Sequence, residues 1–404
     1  MEHIKTIKPN VIRKRAGQHK RYATGFQYQQ DSIFFAQIAD DLIKEGEEEL
    51  KQLGATEVTP SFRGIYFKAP KDVFYNINYQ TRLFSRILAP LVSFTCTDTD
   101  TLYKLAKKLI KWENLFKKKS TFAITANVSD SEITHSQYAA LRLKDAIADY
   151  FRERTGKRPD VNTVDPDVRI NLHIRKEKIA ISIDASGGAL HKRGYREESV
   201  SAPMQETVAA AIIRLSQWDG STPLYDPMCG SGTLLCEALM HHCNIPAGIF
   251  RKRFGFEILP DFNPDLWAQV KEKADAKISA IENGLISGSD IAAESVDAAR
   301  TNLMGLHNGG QVPIGHQDFR DLPDIENAII VANPPYGIRM GKESDLKAFH
   351  KALGDFLKQN CKGSTAYIYF GNPQYVGHMG LKATWKKPLK AGGLDGRLVK
   401  YEMY

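Results

Sequence analysis

From residue 33 the apolar positions Phe34, Ile38, Leu42, Ile43 and Leu50 fall on one side of a helical wheel, which predicts a helix over 33–53 stopped by Gly54. A short strand-like piece at Gly64–Phe67 and a helix at Val73–Tyr79 follow. Leu102, Leu105, Ala106 and Leu109 recur at i, i+3, i+4 and i+7, so 98–119 reads as an amphipathic helix with Thr97-Asp98 as its start. Residues 121–129 alternate as a strand does, and 136–154 form a helix with Ala139, Leu143, Ile147 and Tyr150 inward. Residues 168–174 and 178–184 are two alternating strands, and Arg175-Lys176-Glu177 between them reads as a hairpin turn. Helices and strands here do not alternate strictly, which is the pattern of small α+β modules.

From about residue 200 the pattern changes, with the boundary near Glu197–Ala202. A helix at Gln205–Trp218 leads into a short apolar strand, Pro223–Tyr225, then a glycine loop and another helix. Further strands are expected at Leu285–Gly288, Ala328–Ala332 and Thr365–Phe370, with helices between them. Strand–helix alternation of this kind builds an α/β, doubly wound, Rossmann-like sheet. The chain shows no internal repeat and no low-complexity tract.

Charge divides the chain in the same place. The net charge is +8, but residues 1–200 hold 34 Lys+Arg against 25 Asp+Glu, and residues 201–404 hold 21 against 22. The positive field belongs to the N-terminal half, which points to a polyanion held there. Residues 1–30 read as a flexible basic arm, with Lys5, Lys8, Arg13, Lys14, Arg15, Lys20 and Arg21 against Glu2 alone in the first 22. Lys104, Lys107, Lys108 and Lys111 share one helical face and run on to Lys117, Lys118 and Lys119. Such a stripe is also the ordinary wet side of a helix; in a basic half it becomes a candidate phosphate contact. No apolar run is long enough to span a membrane, and Met1–Gly25 lacks the apolar centre of a secretory signal. Five cysteines without a CxxC pair exclude a disulfide framework or a structural zinc site as the simple reading, and a reducing cytoplasm fits them. His241 and His242 are adjacent, not four apart, so no metal site is expected.

Three motifs carry chemistry. Asp226-Pro-Met228-Cys-Gly230-Ser231-Gly232 follows a predicted strand and opens a predicted helix. It lacks the Lys-Ser/Thr of a phosphate loop and the third glycine of a dinucleotide fingerprint. An acid and then GxG suit a ligand with a cation and a ribose, such as S-adenosylmethionine (SAM). Asn333-Pro334-Pro335-Tyr336 follows an apolar run. Prolines there stop a strand; they also leave backbone carbonyls without local partners. The Asn333 side-chain oxygen and the Pro334 carbonyl can then accept from one planar NH2 group, with Tyr336 as a stacking face worth about 1–3 kcal/mol. Asp290 and Asp318 end two further strand-like segments and lie over the carboxyl edge of such a sheet, where ligands bind. Asp290 suits ribose hydroxyls and Asp318 the adenine amino group; the plainer role of each is a helix cap. Cys229, inside the cofactor loop, reads as a packing residue and not a nucleophile.

Asp226–Gly232 resembles the SAM-binding loop of class I methyltransferases, and Asn333–Tyr336 the NPPY signature of amino-group methyltransferases acting on nucleobases. His135-Ser-Gln-Tyr, Arg152, Arg169-Ile-Asn-Leu, Ser182-Ile-Asp-Ala-Ser-Gly-Gly and His191-Lys-Arg-Gly194-Tyr-Arg196 resemble a THUMP domain and its exit, and Ala202-Pro-Met-Gln-Glu206-Thr-Val-Ala-Ala the helix that joins it to the methyltransferase. The resemblance, from about residue 33 to the C-terminus, is to the N-terminal half of RlmL-type large-subunit rRNA guanine 2-amino methyltransferases. It implies a ferredoxin-like module over 31–95 interlocked with a THUMP domain over 96–190, then a Rossmann-like methyltransferase domain over 200–404. It implies SAM as cofactor, held by Asp226, Met228, Gly230, Ser231, Gly232, Asp290, Asp318 and Asn333. Asn333, Pro334 and Tyr336 are the implied catalytic residues. The implied partner is RNA, 23S rRNA first, with Lys104, Lys108, Lys111, Arg142, Arg193 and Arg196 as candidate contacts and with neither membrane nor metal. The chain departs from the family at Gln205, where lysine is usual. The long spacing between Asp226 and Asp290 matches an insertion that the family also carries, around Ile249–Trp267, and a second modification activity, as in some fused relatives, is not expected. A tRNA guanosine methyltransferase and a non-catalytic assembly factor are the alternative readings.

Overall fold

The computed structural model describes residues 25–198, 204–335 and 343–404. The basic arm up to residue 24 and Tyr336 lie outside the described residues. The described residues divide into two compact units, 25–31 with 90–182, and 32–89 with those from 183 onward.

In the first unit, strand Thr121–Ser129 pairs in parallel with Val168–Arg175 along its length, and the short strand Asp160–Val161 lies on its other side. The turn from Val168–Arg175 into Lys178–Asp184 places both Lys176 and Glu177 at positive φ, 47° and 58°. That is the twist a tight hairpin needs, and here it is reached without glycine. Helix Thr99–Leu109 is capped by Asp98, whose carboxylate accepts from the Thr101 N–H at 2.7 Å. It ends at Leu109, short of the 98–119 expected, and Trp112 then turns fully inward and donates to the Ala106 carbonyl at 3.2 Å. Helix Ser136–Thr155 follows the expected register, burying Ala139, Leu143, Ile147 and Tyr150, and Gly156 ends it in the left-handed conformation.

The second unit begins with a correction. Residues 33–37 are a strand, not the start of a helix; the helix occupies only Ile43–Gln52. Phe34 and Ala36 are buried in alternation, and the strand pairs with Gly64–Lys68 on one side and with Arg86–Leu88 on the other. Ile33-Phe34-Phe35 is a β-favouring run, and the available partners decided its state. This module is built into the same unit as residues 183–404. Tyr75 stacks on Phe256 with centroids 4.6 Å apart, and Tyr79 meets Trp267 edge-on at 5.3 Å. The segment 249–267 is therefore the far wall of this aromatic cluster. The Arg82 guanidinium donates to the carbonyls of Met240 and Ile245, each at 2.7 Å.

Among the described residues the C-terminal sheet has seven strands. Leu224–Asp226 is central, flanked by Ile286–Asp290 and Ile329–Ala332, with Ile314–His316 beyond the first and Thr365–Phe370 beyond the second. These run in parallel. Two strands that periodicity did not reveal complete it: Arg397–Glu402 lies antiparallel against Thr365–Phe370, and Trp385–Pro388 is the edge. Ala332, Ile368 and Val399 are fully buried between the sheet and helix Glu343–Asn360. Among the described residues no helix is long and apolar enough to cross a membrane, and no His/Cys/Asp/Glu group can hold a metal ion.

Candidate functional site

Three adjacent strands of that sheet end together at its carboxyl edge. The central strand ends in Asp226, with Gly288 of the neighbouring strand beside it. A side chain at Gly288 would stand 2.8 Å from the Asp226 carbonyl, so only glycine lets the strands close. The chain then turns through Gly230 and Gly232, at φ 54° and 78°, into helix Thr233–His242. A β-carbon on Gly232 would meet Ala299 at 3.1 Å, in a backbone conformation that L residues avoid.

Asp290 ties the loop down. One carboxylate oxygen accepts from the Gly230 N–H at 2.8 Å, and the other accepts from the Ala292 N–H at 2.9 Å. Asp226 is 1% exposed and accepts from the Met228 N–H at 3.1 Å. Burial first, and the neighbouring Asp290 charge second, push its carboxyl well above the usual carboxylate range. A cation placed beside it would reverse both effects. Met228 is half-buried and packs against the core beneath the sheet. The loop thus fits a ligand that combines a cation with ribose hydroxyls.

On the other side of the central strand, Ala332 leads into Asn333. Ile330 is level with Tyr225, so Asn333 reaches about two residues, roughly 7 Å, further past the sheet than Asp226. Its side-chain oxygen is buried and, among the described residues, has no hydrogen-bond partner. A buried carbonyl left without a donor costs about 1–3 kcal/mol, which a donor entering the site recovers. Pro334 is buried behind it.

Asp318 stands differently. It caps the short turn Phe319–Asp321, accepts from the Arg320 N–H at 2.9 Å, and is gripped by the Arg320 guanidinium. That bond holds its carboxyl below the ordinary range. The cap role stated as its plain alternative is fulfilled, and the carboxylate already has a cation.

Two of the expected RNA contacts are engaged within the fold, Arg193 buried and Arg196 half-buried. Arg193 is 1% exposed and pairs at 3.3 Å with Glu237, which is fully buried; its other donors reach the carbonyls of Leu190 and Arg82. It holds the ferredoxin-like module to the methyltransferase part and cannot meet a phosphate. Arg196 is committed to the Glu206 carboxylate at 3.1 Å, the Ser231 and Thr233 hydroxyls, and the Met204 carbonyl. It braces the Asp226–Gly232 loop and the helix start that follows, so its donors are not free for a phosphate. Arg142 is held by Asp100 at 2.6 Å and lies over the Tyr103 ring. Lys104, Lys108 and Lys111 are exposed, whereas Lys107 of the same stripe pairs with Glu153.

Sequence reasoning missed Asn302. Its amide donates to the Ser231 carbonyl at 3.0 Å and the Glu198 carbonyl at 2.9 Å, and its oxygen accepts from the N–H groups of Glu197 and Glu198. An asparagine within a helix carries no local sign of that task. All five cysteines are free and buried. Burial, then the charges of Asp226 and Asp290, push the Cys229 thiol well above its ordinary range, so no thiolate nucleophile forms there.

Comparison with known proteins adds the family. Residues 193–400 match the RMKL-like methyltransferase domain, 96–184 the THUMP domain and 46–88 the RlmL ferredoxin-like domain. A putative RNA methyltransferase of Synechocystis sp., slr0064, is 36% identical over 372 residues, covering 92% of this chain and 97% of its own. The chain belongs to the RMKL-like methyltransferase family. The ribosomal RNA large subunit methyltransferase K/L of Vibrio campbellii is 37% identical over 367 residues, or 88% of this chain, but only 51% of that relative. The chain therefore spans about half the length of the K/L relatives it matches. SMU.472, a putative methyltransferase solved as its SAH complex, superposes with a TM-score of 0.81 at 26% identity, covering 92% of this chain and 98% of that one. This is the SAM-dependent methyltransferase fold, preceded by ferredoxin-like and THUMP modules.

Proposed function

We propose that the protein transfers a methyl group from SAM to the exocyclic 2-amino group of a guanosine in large-subunit rRNA. The observation that carries this reading is the buried Asn333 oxygen, unpartnered among the described residues and one strand away from the Asp226 loop. SAM supplies an electrophilic methyl on a sulfonium. Gly230, Ser231 and Gly232 give its methionine end a close backbone approach, Asp226 answers its ammonium, and Asp290 answers its ribose.

The target amine is a poor nucleophile because its lone pair is delocalised into the purine. Asn333 Oδ1 and the Pro334 carbonyl accept its two N–H bonds. Those bonds favour a tetrahedral nitrogen and release the lone pair toward the methyl carbon. Bringing guanine out of its stack costs a few kcal/mol, which Tyr336, as the stacking face, offsets. Positioning supplies most of the rate. As the N–CH3 bond forms, the S–CH3 bond breaks and S-adenosylhomocysteine leaves as a neutral thioether; the methylated amine, strongly acidic only then, releases its proton to solvent, so Asn333 and Pro334 need accept no proton beforehand. Methylation of protein-free 23S rRNA compared with tRNA, mapped by mass spectrometry, tests the reading; a product at any atom other than guanine N2 ends it.

Two further outcomes follow from this site. SAM affinity should strengthen as pH rises from the ordinary carboxylate range, because the raised Asp226 carboxyl must lose its proton to meet the ligand's ammonium. Asp226→Asn should flatten that profile in calorimetric titrations. On the THUMP side, Lys104/Lys108/Lys111→Gln should reduce the salt slope of RNA binding by about 2, at roughly 0.7–0.9 per phosphate contact. Filter binding between 50 and 200 mM salt reads this, and an unchanged slope would assign those lysines to solvent.

A further inference from the structure

The near-neutral balance of the C-terminal half hides a segregation. Residues 356–394 contain no acid, while Lys358, Lys362, Lys382, Lys386, Lys387 and Lys390 all fall within them. The strand Trp385–Pro388 and its flanks carry four of these lysines to the free edge of the seven-stranded sheet.

Register fixes their height. Ala332 pairs with Ile368, so Pro334 continues level with Phe370; Phe370 pairs with Arg397, and Arg397 with Pro388. Pro388 therefore lies at the carboxyl edge, on the level of the Asn333-Pro334 turn and three strands away from it, roughly 14 Å at about 4.8 Å per strand. Lys386 and Lys390 flank it and are exposed. Lys387 lies over the Trp385 ring and 3.8 Å from Glu45. Asp41 accepts from the backbone N–H of Lys390, and Asp395 is held by Arg397 at 2.8 Å. Among the described residues no ion pair engages Lys386.

We propose that Lys386 and Lys390, at the sheet edge beyond Asn333, bind the sugar–phosphate backbone of the RNA whose base enters the Asn333 site. This rests on the RNA-methyltransferase reading and deepens it. A flipped nucleotide leaves its neighbours' phosphates outside the pocket, and cations level with the pocket hold that backbone in register without reading sequence. Lysine on an edge strand also discourages pairing with another chain. That role does not require the lysines to sit level with the catalytic turn.

The test compares two full-length variants with equal charge change. Lys386→Gln/Lys390→Gln removes the cations at the carboxyl edge. Lys358→Gln/Lys362→Gln removes two exposed lysines beside the start of strand Thr365–Phe370, at the opposite edge. The first should lower the salt slope of RNA binding by about 1.5 and raise the KM for RNA several-fold, with SAM affinity unchanged as the check on folding; the second should match wild type. Equal losses in both variants, or self-association of the first with an unaltered slope, overturn the inference. A wild-type chain that binds RNA alongside an unaffected first variant overturns it alone, whereas a wild type without RNA affinity removes the functional reading with it.

Discussion

Replacing Asn333 by alanine is expected to cut methyl transfer by about 100-fold to 1,000-fold, a loss of roughly 2.7–4 kcal/mol of the kind seen when one preorganised polar group is removed from a transition state. SAM affinity should move by less than about threefold, because Asp226, the glycine loop and Asp290 keep their places. The two effects separate because, among the described residues, the Asn333 oxygen has no structural partner to lose. Single-turnover assays at saturating SAM give the rate, and calorimetry gives the affinity. A rate within tenfold of wild type would mean that the amine is activated elsewhere. Asn333→Asp keeps an acceptor but adds a charge in a buried position, so it should recover little.

Replacing Arg193 by alanine is expected to destabilise the fold by about 3–5 kcal/mol, since it leaves the Glu237 carboxylate buried and uncompensated. At roughly 2–4 °C per kcal/mol the melting temperature should fall by about 10 °C. The hydroxyl of Tyr195, which donates to the same carboxylate at 3.2 Å, keeps a partner but cannot neutralise it. An Arg193→Met/Glu237→Met double variant should regain most of the loss, because the buried charge leaves together with its counterion. Scanning calorimetry distinguishes this from a phosphate contact. An arginine facing RNA would leave the melting temperature in place and lower the salt slope of binding instead.

The same residue shows where reading the chain stops. His191-Lys-Arg193-Gly-Tyr-Arg196 is a dense basic segment within the basic half, and nothing local separates a surface cation from one paired internally. The difference lies 44 residues away, at Glu237 on the helix that follows the glycine loop. The five-residue strand at Ile33 failed in a related way. Its apolar residues satisfy a helical wheel as well as an alternation, and the neighbours that decide for strand are at 64–68 and 86–88.

By itself the chain order determined the architecture and the chemistry of the loops. Apolar alternation and helical spacing are local, so they mark most elements wherever the rest of the polypeptide goes, and glycines or prolines next to an acid or an amide announce turns that meet ligands. Tertiary structure alone decided which charges are spent internally. It engaged Asp318 with Arg320, Arg196 with Glu206, and Arg193 with Glu237, and among the described residues it left the Asn333 oxygen without a partner. Whether a polar group is free to act depends on what the fold brings beside it. Pairing and burial are set by residues distant along the chain, so no window of sequence contains them.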